Sequence, residues 1–357
     1  MKRIKTRTVK IGGLSIGGTN PVAVQSMTNT ATKNTEKTIQ QIKRLEHAGC
    51  ELIRCSVPDK VSAEALKKIV SKARVPVAAD IHFDHNLALA ALENGADKIR
   101  INPGNIGGRG KVKNVIDAAK MHKAAIRIGV NAGSLKKDPD YKLGVKSGNK
   151  TADLMVAGLM EHIVFFEKNR FKKIVVSLKA SDIITTVDAC RLFLKYRNYP
   201  LHIGITESGT EFSGAIKSAA GIAVLLYEGI GDTVRVSLTA DPVKEIFTAY
   251  KILGSMGVRK RGAEIISCPT CARTSINVIK LARDVEKLTE DVKKPVKIAV
   301  MGCPVNGPGE AKDADIGITG AGKTGIIIKD GKVIKRTAKK ELLKVFMKEL
   351  DRVLKKK

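Results

Sequence analysis

At 357 residues, 43% of them hydrophobic, the chain is long enough for two or three domains, or for one large barrel with a smaller unit beside it. Residues 1–18 lack an apolar run suited to a signal peptide, nothing approaches the ~18 apolar residues of a membrane span, and six irregularly spaced cysteines make no disulfide framework, so a cytoplasmic protein with reduced thiols is expected. The net charge of +29 invites a nucleic-acid partner, but residues 1–261 hold 43 Lys and Arg against 23 Asp and Glu and residues 262–357 hold 21 against 12, so the excess is spread evenly, and with 4% aromatics and no Trp there is little to stack bases on.

Short, β-branched, nearly continuous apolar runs recur at 21–27, 51–57, 75–82, 98–105, 126–133, 173–181, 201–209 and 233–241. Such runs suit parallel strands covered on both faces. Helical spacing of apolar residues fills the intervals at 35–48, 63–73, 86–94, 112–123, 152–168, 183–195, 213–228 and 243–256. Eight strand–helix units in strict alternation predict a (β/α)8 TIM barrel over residues 1–258. An open doubly wound sheet of seven or nine units is the alternative.

Polar residues gather at the C-terminal ends of the runs: Gln25, Arg54, Asp80 with His82, Arg100 with Asn102, Arg127 with Asn131, Ser177 with Lys179, Glu207, and Arg235 with Ser237. A charge inside a barrel strand is costly unless it faces a polar site, and the C-terminal face is where barrel enzymes keep their chemistry. Any one member has a structural reading; Arg54 or Arg100, for instance, can close an ion pair with Asp80 or Glu207. Eight strand ends converging on one mouth do not. Four arginines and a lysine there suit a phosphorylated substrate. The loop 103–111 is glycine-rich enough to bring amides to phosphate or to be a mobile turn, and 134–150 is a long lysine-rich connection.

A basic, glycine-flanked linker at 257–262 ends the barrel pattern, and residues 259–357 read as a smaller α/β domain. Its expected elements are strands at 263–267, 296–301 and 315–318, a hairpin, and helices at 274–289 and 339–354. Cys268-Pro269-Thr270-Cys271 leaves the first strand and Cys303 follows the second. Iron–sulfur clusters and zinc accept such thiolates but normally want four ligands, and no fourth cysteine or later histidine is present after Cys303. The count favours a cluster with one unusual ligand or an open iron, with Glu310 the nearest candidate; a structural zinc and a pair of merely buried thiols are the alternatives. Residues 317–324 spell the phosphate-binding pattern G-x-x-x-x-G-K-[ST], but the following Gly325-Ile326-Ile327-Ile328 and the Asp330-Gly331 turn predict a hairpin where a helix is required.

Cys268-Pro269-Thr270-Cys271 together with Gly302-Cys303-Pro304-Val305-Asn306-Gly307-Pro308-Gly309-Glu310-Ala311 resembles the bacterial 4-hydroxy-3-methylbut-2-enyl diphosphate synthases of the non-mevalonate isoprenoid route. Supporting stretches lie at 24–30, 99–105, 129–135, 204–209 and 228–238, so the resemblance covers essentially the whole chain. It implies a [4Fe-4S] cluster on Cys268, Cys271 and Cys303, with Glu310 as an exchangeable fourth ligand. It implies reductive ring opening of methylerythritol cyclodiphosphate with loss of a hydroxyl as water, the electrons arriving singly from flavodoxin or ferredoxin. A homodimer is implied, in which the cluster domain of one subunit caps the barrel of the other. Carried over by motif, Arg54, Arg100, Arg127, Lys179 and Arg235 would hold the diphosphate with Asn102, Asn131, Ser177 and Ser237. Asp80, His82 and Glu207 would line the reacting carbons, Glu207 being the candidate for proton delivery. A nucleic-acid-binding iron–sulfur protein is the competing class.

Overall fold

The computed structural model describes residues 2–135, 138–303 and 312–356. Glu310 lies outside them. The chain divides into two compact units, Met1–Arg259 and Lys260–Lys357. Arg259 is fastened to the first: its guanidinium donates to both oxygens of Glu51 at 2.6 and 2.8 Å and lies over the Tyr250 ring.

The first unit opens with an antiparallel hairpin, β1 (Val9–Ile11) and β2 (Leu14–Ile16). Eight parallel strands follow: β3 (Ala23–Met27), β4 (Leu52–Ser56), β5 (Val77–Asp80), β6 (Lys98–Ile101), β7 (Ala125–Asn131), β8 (Ile174–Lys179), β9 (His202–Ile203) and β10 (Thr233–Val234). Their order in the sheet is β8-β7-β6-β5-β4-β3-β10-β9. A parallel bridge from Val176 in β8 to Leu201 beside β9 closes the ring. The architecture is therefore the (β/α)8 barrel and not the open sheet.

The helices alternate with these strands as α1 (Thr35–Ala48), α2 (Lys60–Lys72), α3 (His85–Glu93), the single turn α4 (Pro103–Ile106) with α5 (Arg109–Met121), α6 (Lys150–Lys168), α7 (Ile183–Leu194), α8 (Glu211–Tyr227) and α9 (Pro242–Ser255). Asn34, Asp59, Asp84, Asn149, Asp182 and Asp241 each accept a first-turn N–H, which satisfies orphan donors and fixes the loops that enter the helices. The described part of the 134–150 connection is tied down as well, Tyr196 Oη exchanging hydrogen bonds with the Val145 backbone.

Period-2 alternation sorts each strand into two faces. Val24, Ile53, Ala79, Ile99, Ile126, Ile128 and Val176 pack outward against the helices. Ala23, Leu52, Ala78, Ala125 and Val175 point inward at the N-terminal end of the barrel, where Val9, Ile11, Leu14 and Ile16 of the hairpin pack on them as an apolar plug. Nothing in the basic N-terminal sequence announced that plug.

The runs at 201–209 and 233–241 shorten to two-residue strands. Gly204 lies so close to β10 that a Cβ there would sit 2.2 Å from the Arg235 carbonyl oxygen. Beyond it the chain turns away, with Glu207 at φ +53° and Gly209 at +114°.

In the second unit, β11 (Ala263–Ser267), β12 (Val296–Met301) and β13 (Ile316–Ala321) run parallel, and β14 (Thr324–Lys329) and β15 (Lys332–Ala338) continue the sheet antiparallel. The helices α10 (Val278–Leu288) and α11 (Leu342–Lys356) cover one face through Val285, Phe346 and Leu350 on Ile298, Ile318 and Ile327. The predicted helix 274–289 begins only at Val278, because Asn277 caps it and Ser275 is already committed to the Gly302 carbonyl. Ala321 pairs with Thr324, so the phosphate-loop spelling at 317–324 is a strand–turn–strand and offers no helix N-terminus to a nucleotide.

Ile11 is fully buried in the plug. Ile11→Ala should cost about 2–5 kcal/mol of unfolding free energy, measured by urea denaturation; a loss below about 0.5 kcal/mol, the range of surface substitutions, would show that the hairpin does not close the barrel.

Candidate active site

Most inward positions above the plug are polar, and many of them carry ionisable side chains. Asp80, at the end of β5 and 3% exposed, is the hub: Arg54 Nε lies 3.8 Å from it, Arg100 Nη1 3.4 Å and His82 Nε2 3.3 Å. Burial alone would push this carboxyl up. Arg54, the His82 hydrogen bond, Arg100 and Arg127 together hold it well below the usual carboxylate range, so it is ionised at neutral pH. Both arginines thus pair with Asp80 and neither with Glu207.

Arg54 also points Nε and Nη2 at the Met27 sulfur, 3.0 and 2.9 Å away, and burial brings its pKa down to about 10. Arg235 is held differently. Its Nε and Nη2 each lie 3.2 Å from the carboxylate of Glu245 on α9, which is itself 3% exposed and also accepts from Ser26 Oγ and the Leu238 amide.

Arg127 has no such partner among the described residues. It is 3% exposed, and its Nε and Nη1 are buried without a hydrogen bond. Burial, with Arg54 and Arg100 beside it, pushes its pKa well below the normal guanidinium value. Lys179, also buried, is depressed by burial and then by Arg127, Arg235 and Arg54. Ser177 is buried next to Gly129, where an added Cβ would lie 3.0 Å from Ser177 Oγ and 3.3 Å from Arg100 Nε.

Asn102 caps the single turn α4 with its side-chain oxygen, 3.3 Å from the Gly104 amide, so the 103–111 segment is a helical turn, a break at Gly107 and Gly108, and the start of α5. Asn131 ends β7, and Ser237 lies half-buried beyond β10. Glu207 is exposed in a left-handed backbone conformation that non-glycine residues rarely adopt and that concentrates at functional sites.

Four residues in or bearing on this lumen were not singled out as site residues. Lys98, two positions before Arg100, is fully buried and donates to Gln25 Oε1 at 3.0 Å. His202 Nδ1 meets Thr233 Oγ1 at 2.7 Å while its Nε2 and the Gln25 Nε2 are buried and unpartnered. The signal for Lys98 was its parity with Arg100, since residues two apart on a strand share a face. Glu245 carried no such signal, because it lies on a helix.

Cys268 and Cys303 follow paired parallel strands, and the Gly302 amide lies 3.2 Å from Cys268 Sγ. Cys303 is buried, Cys268 half-buried and Cys271 exposed. The Arg273 backbone N–H, then the Thr274 hydroxyl and the Arg273 charge, lower the Cys271 thiol toward thiolate. Among the described residues no group of three His, Cys, Asp or Glu side chains is gathered as a metal site. The other thiols are inert: burial pushes Cys50 and Cys190 up to about 12 and Cys55 up to about 11, and Cys55 points outward into the helix-covered core. Proximity to Arg54 in sequence therefore does not make Cys55 a ligand.

The model of the GcpE TIM-barrel domain matches residues 6–250, and that of the GcpE protein C-terminal domain matches residues 264–352. A relative from Caldanaerobacter subterraneus subsp. tengcongensis, named 4-hydroxy-3-methylbut-2-en-1-yl diphosphate synthase (flavodoxin), is 53% identical over 98% of both chains. One of the same name from Lawsonia intracellularis is 51% identical over 99% of this chain and 97% of its own. Among solved structures, dihydropteroate synthase from Stenotrophomonas maltophilia superposes with a TM-score of 0.51 at 16% identity, covering 71% of this chain and 98% of its own; the likeness is one of fold alone.

The two ways of holding an arginine make opposite predictions. Arg127→Met removes unpartnered buried donors and should stabilise the ligand-free protein by about 1–3 kcal/mol. Arg235→Met strands a buried Glu245 and should destabilise it by about 3–5 kcal/mol. Urea unfolding of the two variants checks this, and equal effects would contradict the assignment.

Proposed function

The chain belongs to the GcpE family in both of its units, and we propose that it catalyses the reductive ring opening and dehydration of 2-C-methyl-D-erythritol 2,4-cyclodiphosphate to 4-hydroxy-3-methylbut-2-enyl diphosphate, with electrons from flavodoxin. The observation that carries the reading is the lumen's unbalanced charge. Arg54, Lys98, Arg100, Arg127, Lys179 and Arg235 face only the carboxylates Asp80 and Glu245 among the described residues that bear on them. A cyclic diphosphate supplies the missing negative charge, and buried guanidinium donors bind it with charge-assisted hydrogen bonds. The nucleic-acid alternative gains nothing from this arrangement, since the uncompensated cations lie inside a barrel.

The donors at Cys268, Cys271 and Cys303 fit a [4Fe-4S] cluster. They are three thiols on the C-terminal ends of neighbouring strands, one with an amide at hydrogen-bonding distance and one lowered toward thiolate. These residues would hold it, with Glu310 as the fourth, exchangeable ligand. When bound, the cluster supplies single electrons and an iron able to accept an oxygen ligand.

The reaction consumes two electrons and two protons per cyclodiphosphate and releases one water. Arg127 and Lys179, buried and without a carboxylate of their own, would take most of the diphosphate charge. Arg54 and Arg100 are kept in place by Asp80, and Arg235 by Glu245, so that the guanidinium planes are oriented before substrate arrives. Asp80 stays ionised and orients His82 at the mouth. Glu207, exposed on its strained turn, would deliver a proton toward the departing hydroxyl. The same reading takes the enzyme as cytoplasmic and homodimeric; no helix among the described residues is long and apolar enough to cross a membrane.

Ser in place of Cys268, Cys271 or Cys303 should abolish iron and sulfide content and activity, while Ser at Cys50, Cys55 or Cys190 should leave iron content intact. Glu310→Cys should keep a cluster at least as stable as wild type in a nearly inactive enzyme. Iron analysis, electron paramagnetic resonance and turnover with an artificial reductant read these outcomes. Full activity in Glu310→Cys, or cluster loss in Cys55→Ser, would contradict the ligand assignment.

A further inference from the structure

The lumen has two tiers. The upper tier comprises Arg54, Asp80, Arg100, Lys179 and Arg235 near the strand ends. Lys98, Gln25, His202 and Thr233 each lie two residues earlier on their strands than Arg100, Met27, Gly204 and Arg235, and therefore about 7 Å nearer the plug. Lys98 on β6 reaches Gln25 on β3, so the bond crosses from one strand to another with β4 and β5 between them. Its amine is fully buried, and among the described residues the one acceptor at hydrogen-bonding distance is a neutral amide oxygen. The charges that face it are those of Arg127 on β7 and Arg54 on β4. His202 on β9, with a buried unpartnered Nε2, faces Lys179, Arg127, Lys98 and Arg54.

We propose that Lys98 is a positioning residue of the substrate site, a lower-tier cation that touches no substrate atom and couples binding of the diphosphate to protonation of the lumen. This rests on the diphosphate reading above. The physical sequence is short. In the ligand-free barrel, burial and then the neighbouring guanidinium groups oppose a charge on Lys98, and the same holds for Lys179. A diphosphate arriving in the upper tier reverses the sign of the local potential, and protonation of the lysines becomes favourable. Proton uptake then belongs to binding itself. Because Lys98 lies behind Arg100 and Arg127, its charge strengthens anion binding through space and leaves the reacting carbons untouched.

The test is calorimetric titration of the anaerobically prepared holoenzyme with inorganic diphosphate at pH 8, in buffers of differing ionisation enthalpy. The dependence of the observed heat on the buffer counts the protons taken up. Wild type should bind with net uptake. Lys98→Met should bind diphosphate about tenfold more weakly, one charge being lost at close range in a medium of intermediate dielectric, with reduced uptake. Its Michaelis constant for the cyclodiphosphate should rise while kcat changes little. Lys98→Arg, which keeps the charge but does not titrate, should retain affinity while the uptake falls to the share that Lys179 contributes, a split that a purely structural role would not produce. Binding by wild type without proton uptake would overturn the proposal with no variant required, and so would a Lys98→Met protein with unchanged uptake and affinity. Failure of wild type to bind diphosphate at all would instead remove the substrate reading beneath it.

Discussion

Removing a basic group from water is costly unless an anion or a set of acceptors replaces the water, and this barrel gathers six basic side chains around two carboxylates, with Lys98, Arg127 and Lys179 buried and Arg54, Arg100 and Arg235 half-buried. Most of what surrounds them follows from that imbalance. Asp80 is shared by Arg54, Arg100 and His82 because one carboxylate has to serve three groups. Glu245 is drawn from a helix outside the barrel to secure Arg235. Arg127 is left with two buried donors unmet among the described residues, and the proposed diphosphate is what would satisfy them.

The fold makes such an interior tolerable by confining it. The hairpin closes the N-terminal end with an apolar floor, and the outward face of every strand is committed to the helix-covered core. Between floor and mouth the strand period places polar groups in successive inward positions, and the barrel's own hydrogen bonds hold them at fixed spacing. A site on strands is positioned more tightly than one on loops. The second unit brings different chemistry on a similar principle, its cysteines standing at the ends of paired parallel strands.

Much of this could be read from residue order. Eight apolar runs ending in polar or charged residues, separated by 3.6-period segments, correspond to the barrel strands and helices, though the last two runs shorten to two-residue strands, because parallel strands buried on both faces leave a continuous apolar signature. The charged strand ends were legible for the same reason: Arg54, Asp80, Arg100, Arg127, Lys179 and Arg235 interrupt that signature. Three things were not legible. The plug is two three-residue strands in a basic stretch, too short to show a period. Lys98 sits at the start of a run, where a lysine reads as a solvated boundary; its parity with Arg100 puts the two on one face, but only closure of the barrel makes that end of the strand buried. Glu245 looks like any first-turn helix acid until the packing of α9 against β3 places it beside Arg235 and Ser26.

The central claim is that the unmet donors of the lumen are there for a diphosphate. A crystal structure of the anaerobic enzyme with the cyclodiphosphate bound tests it most directly. The account predicts phosphate oxygens within hydrogen-bond distance of Arg127 Nε and Nη1, which are buried and unpartnered without ligand. A bound cyclodiphosphate held elsewhere, with those two nitrogens still unpaired, would contradict it.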